Sequence, residues 1–164
     1  MKPLDSIDLQ ILNILQDDCT VSVKEVAEKV GLSFTPTYER IRSLKQRGVI
    51  KKNVAILDRG AIGYNIMTYC NIVLKEQTRE LLADFEERIT REPQVLEVVS
   101  LTGTYDYMLK IVAKDINDYG KFMTQVIATM PNVGQYHSSI VLYTIKDETK
   151  IELGVENEKV QSPG

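Results

Sequence analysis

Between Ser33 and Lys52 the chain gathers side chains suited to a polyanion: Arg40, Arg42, Lys45, Arg47, Lys51 and Lys52, interleaved with the short polar residues Ser33, Thr35, Thr37 and Ser43. A guanidinium grips phosphate or the guanine edge as a bidentate fork, and short hydroxyls reach base edges without filling a groove. From Arg40 to Arg59 seven cations face Asp58 alone, a local charge of +6 in a chain of net charge −3. Such asymmetry is the footprint of a local phosphate-binding surface on an otherwise acidic protein. A basic run by itself is equally an ordinary solvated helix face. What precedes it decides between the two. The stretch SVKEVAEKVGLSFTPTYERIRSLKQRGVIKKN reads as a capped helix, a glycine turn and a second, cationic helix. That order describes a helix-turn-helix, which lays its second helix in the DNA major groove.

A second cluster lies at Ser100–Tyr107, SLTGTYDY, where hydroxyls, one glycine and one carboxylate share a turn. Gly103 allows backbone amides to approach an anion such as a carboxylate. Asp106 offers a partner for an ammonium, so the two ends of an amino acid are both provided for. A Gly-Thr hairpin with a solvated aspartate is the plainer alternative. His137 is the sole histidine, and Cys19 and Cys70 are far apart without metal-ligand spacing. No zinc site, no other metal centre and no nucleophile–base pair is expected. Two unpaired cysteines suit a reducing compartment. The first residues lack the apolar core of a signal peptide, and no run approaches a membrane span, so a cytoplasmic location with no membrane partner is expected.

Two sets of elements must hold these clusters. Asp5 or Ser6 can cap a first helix running to about Gln16, with Ile7, Ile11, Leu12, Ile14 and Leu15 as its apolar stripe. Ser22 and Glu25 form a capping box for the next helix, with Val23, Val26, Ala27 and Val30 inward, and Gly31 ends it. Ser33 caps the cationic helix and Pro36 falls in its first turn. Helical projection puts Phe34, Thr37, Tyr38, Ile41 and Leu44 on the inner side. Thr35, Pro36, Glu39, Ser43, Gln46 and Arg47 face away, with Arg40 and Arg42 on the flanks. Candidate DNA contacts are therefore Ser33, Thr35, Pro36, Thr37, Glu39, Arg40, Arg42, Ser43 and Arg47, with Lys51 and Lys52 near the tip of a wing at Val49–Leu57.

Beyond a linker at 53–65 the period changes. Strands are expected at Ile66–Leu74, Val95–Leu101, Tyr105–Ala113 and Val133–Ile145, with helices at Thr78–Thr90 and Ile116–Met130. The order βαββαβ is a ferredoxin-like unit, with helices on one face only. Ile140, Leu142 and Tyr143 supply apolar surface on both faces of the last strand, and twofold self-association is the cheapest way to cover it. The fold class is α+β: a winged helix-turn-helix at 1–52, a linker at 53–65, a ferredoxin-like domain at 66–146 and an acidic tail at 147–164. The tail is expected to add a short strand at Ile151–Leu153 and to be loose beyond Glu156.

The stretches LDSIDLQILNILQDD, EVAEKVGLSFTPTYERIRSLKQRGVIKK, GTYDYMLKI and PNVGQYHSSIVLYTIK resemble the leucine-responsive regulator/AsnC family, the feast/famine regulators, over about Leu4 to Lys146. The resemblance implies a DNA-binding first domain and a second that dimerises, assembles further to an octamer, and binds amino acid effectors. It carries effector contacts onto Thr102, Gly103, Tyr105 and Asp106, with Gln135, Tyr136 and Ser138 from the last strand, and it implies no cofactor. Cys19 and Thr20 stand where that family usually has Gly or Ala followed by Arg, which removes one basic group near DNA. The implied function is a sequence-specific transcription regulator answering to a small amino acid. Two alternatives differ in class: an architectural DNA-compacting protein, and a haem-precursor decarboxylase on the same architecture, which one histidine serves poorly.

Overall fold

The computed structural model describes residues 3–154. They form two compact units, one of residues 3–55 joined by 146–154, the other Ile56–Ile145.

The head is built from α1 (Ser6–Asp17), α2 (Val23–Val30) and α3 (Phe34–Gln46). Each start is set by side-chain chemistry. Asp5 caps α1 and Asp8 returns the favour, closing a capping box of two carboxylates. Ser22 and Glu25 make the expected box on α2. Gly31 ends α2 at φ 69°, a left-handed turn that costs glycine little. Ile11, Leu12, Val26, Val30, Ile41 and Leu44 form the core, and Ile7, Ile14, Leu15, Val49, Ile50 and Leu153 pack around it. Each fully buried aliphatic side chain here contributes roughly 1.5–3 kcal/mol.

The wing expected at Val49–Leu57 forms no strand pair among the described residues. Val49 and Ile50 instead close the end of α3, both N–H groups reaching the Leu44 carbonyl. Residues 51–58 carry no ladder hydrogen bonds, because no second strand lies in register with them.

The second unit is a four-stranded antiparallel sheet in the order β2-β3-β1-β4. Its strands are β1 (Ile66–Leu74), β2 (Val95–Ser100), β3 (Tyr107–Ala113) and β4 (Val133–Ile140). Helices α4 (Arg79–Ile89) and α5 (Ile116–Gln125) cover one face. Phe85, Ile89, Tyr119, Phe122, Met123 and Ile127 meet Cys70, Ile72, Leu74, Tyr107, Leu109 and Ile111 in a single core. The helix expected to Met130 breaks earlier, at Val126, into a short 3-10 turn over Ile127–Thr129. The last strand stops at Ile140, so Leu142, Tyr143 and Ile145 lie beyond it and are strongly exposed rather than on sheet faces.

No strand forms at Ile151–Leu153. That segment docks on α1 by other means: Asn13 Nδ2 donates to the Leu153 carbonyl at 3.2 Å, and Gln16 exchanges two hydrogen bonds with the Ile151 backbone. Lys150 adds an ion pair with Asp17. An edge strand needs a neighbouring strand, and a helix offers only side-chain amides. The looseness expected beyond Glu156 lies outside the described residues.

Candidate functional site

The turn joining α2 to α3 is fixed by backbone bonds. The Leu32 N–H reaches the Ala27 carbonyl at 3.0 Å while Gly31 takes the left-handed bend. This presents α3 with Thr37, Ile41 and Leu44 buried against the head. Thr35, Pro36, Glu39 and Arg42 are exposed on the opposite side, with Ser43 and Arg47 half-buried along one edge. Asp8, Pro36, Glu39, Arg40, Ser43 and Arg47 line a cleft of about 360 Å³.

Four expectations for this helix are corrected. Thr37 is fully buried and donates its hydroxyl to the Ser33 carbonyl at 2.9 Å, so it holds the first turn and cannot reach a duplex. The Ser33 side chain makes no capping hydrogen bond; the third residue of the helix, whose N–H a capping hydroxyl commonly accepts, is Pro36, which has none. Phe34 and Tyr38 are not inward: they are 56% and 47% exposed and stack on each other. Thr37 and Ile41 lie nearest the middle of the buried side, which leaves these two rings on its outer rim. Arg40 is not an open phosphate ligand. One guanidinium nitrogen lies 2.7 Å from Asp5 and 2.7 Å from Asp8. Those two carboxylates raise the guanidinium above its ordinary value despite partial burial. Burial pushes Asp5 up, but the Asp8 N–H and the Arg40 guanidinium outweigh it and leave the carboxyl below the usual range.

Arg42 differs. It is exposed, and Glu39, one turn away, lies 3.7 Å from its guanidinium. Exposed pairs of that kind contribute little and exchange readily for a phosphate. Lys51 and Lys52 are exposed on the extended segment after α3. Helix N–H groups, hydroxyls and these cations together make a surface that can position a sugar-phosphate backbone and touch base edges.

The candidate effector residues fall into two groups. Thr102 and Gly103 are exposed at the β2–β3 turn, where Gly103 adopts φ 109°. Asp106 is anchored rather than open. Its carboxylate accepts the Leu74 N–H at 2.7 Å and the Gln77 side-chain amide at 2.6 Å. Its own N–H donates to the Ile72 carbonyl, and its carbonyl accepts from Leu101. Tyr105 turns its ring to His137, with centroids 5.6 Å apart.

On β4 the expected residues alternate. Tyr136 pairs with Ile72 and Ser138 with Cys70, on the helix-covered face, whereas Gln135 pairs with Val73 on the other. The Tyr119 hydroxyl donates to Ser138, and Ser138 lies 3.6 Å from the Cys70 sulfur. Burial pushes both the Tyr119 phenol and the Cys70 thiol up, against the bonds to Ser138. The seven residues are thus not gathered into one pocket within this chain. Gln77 and Tyr119 were missed, because neither carries a local signal: each acquires its contact only through the fold.

Among the described residues no group of three His, Cys, Asp or Glu is placed to hold a metal ion. No helix among them is long and apolar enough to cross a membrane.

Comparison with known proteins bears on both units. Residues 4–51 match the family model described as winged helix-turn-helix DNA-binding, and residues 67–151 match the Lrp/AsnC ligand binding domain. The chain is 39% identical over 145 residues to the Bkd operon transcriptional regulator of Pseudomonas aeruginosa, covering 88% of this chain and 95% of that one. It is 36% identical to the transcriptional regulator AzlB of Bacillus subtilis, covering 92% and 96%. Among solved structures it is similar to a transcriptional regulator of Neisseria meningitidis in complex with L-Met, at TM-score 0.86 and 27% identity, covering 92% and 97%.

Proposed function

The chain belongs to the Lrp/AsnC family of transcription regulators, and from that premise we propose that it reads duplex DNA through the outward side of α3 and changes its affinity when an amino acid binds the second unit. It is a DNA-binding regulator, not an enzyme. The observation that carries the site reading is the presentation of Thr35, Glu39 and Arg42 on one exposed side of α3. Thr37, Ile41 and Leu44 fix the other side. Within the proposed interface Pro36, Ser43, Arg47, Lys51 and Lys52 set distance to the backbone, and Arg40 acts by holding α3 against α1.

The effector reading is supported by the family of the second unit and by the relative crystallised with L-Met. The Thr102–Asp106 turn is the proposed contact. Asp106 keeps carboxylate lone pairs beyond the two bonds it accepts, enough for an ammonium. Self-association into dimers, and of dimers into an octamer, is part of the proposal. Support comes from β4, an edge strand, and from the exposed Leu142, Tyr143 and Ile145 just after it. A cytoplasmic location fits this role.

The test has two arms. The full chain is used to select binding duplexes from a random-sequence library, and a thermal-shift series then screens the twenty amino acids. Enrichment of one motif and a rise in melting point with one or a few amino acids are expected. No enriched motif counts against the DNA reading, and a flat series counts against the effector reading.

A further inference from the structure

Phe34 and Tyr38 are the first and fifth residues of α3. Their rings are 6.2 Å apart and 10° from parallel, and about half of each side chain is open to solvent. Neither ring belongs to the head core, to which α3 contributes Ile41 and Leu44. Two stacked aromatics left on a surface are costly unless something covers them.

What covers them is constrained by their place. They flank Thr35, Glu39 and Arg42, and Lys45 follows Tyr38 two turns further along. The patch is therefore continuous with the side of α3 proposed to enter the groove, and cationic at its rim, which suits a polyanion better than an apolar protein surface. Inside a major groove the base edges offer one apolar group, the thymine C5-methyl.

We propose that Phe34 and Tyr38 form a thymine-reading element, each ring packing on a C5-methyl of neighbouring thymines. This rests on the reading of α3 as the groove-entering helix. It adds to that reading two residues that carry no charge and act through the apolar faces of their rings. It also gives the operator a compositional signature, T-rich under the N-terminal half of α3, while Arg42 faces phosphate or guanine.

The test uses the full chain and the duplex it enriches from a random library. Each thymine is replaced singly by deoxyuridine, which removes only the methyl. Burial of one such carbon contributes on the order of 0.8 kcal/mol, so wild-type affinity should fall about three- to fivefold at one or two positions. Phe34→Ala and Tyr38→Ala should each lose affinity for the thymine duplex and become indifferent to uridine at the matching position. Tyr38→Phe should keep both affinity and discrimination. Uridine tolerated everywhere by the wild type would overturn the proposal even if a motif was enriched. So would alanine variants that still discriminate. Loss of self-association in the Phe34→Ala/Tyr38→Ala chain by sedimentation would assign the rings to a second copy instead. Failure to enrich any motif removes the groove reading itself, a distinct outcome.

Discussion

The Arg40 guanidinium lies 2.7 Å from the carboxylate of Asp8, tying α3 to the first turn of α1. Asp8 is nearly buried, and Arg40 is a third exposed. A buried carboxylate without a partner is expensive, so this ion pair is a structural joint and not a spare DNA contact.

The two arginines of the helix should therefore separate. Arg40→Ala should destabilise the head by about 1–3 kcal/mol, between the values for exposed and fully buried pairs, because one partner is partly solvated. Arg42→Ala should leave the melting point nearly unchanged and cost operator affinity about 1–3 kcal/mol if it reads a base. Thermal melts and fluorescence anisotropy on both variants check this. Equal stability for the two would contradict the joint.

Acid should loosen the head first. Asp5 is held below its ordinary value of 3.8 by the Asp8 N–H and Arg40, against burial. Asp18 and Glu25 are lowered too, by bonds from Thr20 and from Ser22. A carboxyl whose folded pKa is depressed stabilises fully above its unfolded pKa, and that contribution drains as pH falls through the lowered value. Melting points should hold down to about pH 5 and drop below about pH 4, with a shallower drop in Asp5→Asn.

Asp106 gives a paired prediction. Asp106→Ala removes the acceptor of the buried Leu74 N–H and should cost about 1–3 kcal/mol. Asp106→Asn keeps an acceptor oxygen and should retain most of that stability while losing the charge an ammonium needs. An effector-induced thermal shift that survives in Asp106→Asn would show that the carboxylate does not bind the ligand.

Hydrogen exchange on α1 tests the docked segment. Ending the chain after Glu148 removes Ile151, Leu153 and the bonds to Asn13 and Gln16. Amides of α1 should then exchange faster, and those of the sheet unit should not.

Much of the fold could be read from local chemistry. The Ser22–Glu25 box, the Gly31 stop and the alternating strand β1 are set by neighbours in sequence, so pattern alone places them. Errors cluster where a distant partner decides. Arg40 looked like a phosphate ligand because its two carboxylates lie 32 and 35 residues away. Ile151–Leu153 reads as a strand because nothing local reveals that Asn13 and Gln16 donate to its carbonyls. Helical projection puts Phe34 and Tyr38 on the inner side, and only the packed head reveals that they sit on its exposed rim. At the candidate effector turn, Gly103 was legible from composition, but the anchoring of Asp106 by Leu74 and Gln77 was not.

The central claim is that the exposed side of α3 reads the duplex, and one titration tests it most directly. Anisotropy of the enriched duplex is followed for the wild type and for Thr35→Ala/Arg42→Ala, with melting points recorded alongside. Affinity lost by more than about tenfold at an unchanged melting point is the predicted result. Undiminished affinity in that variant would contradict the account.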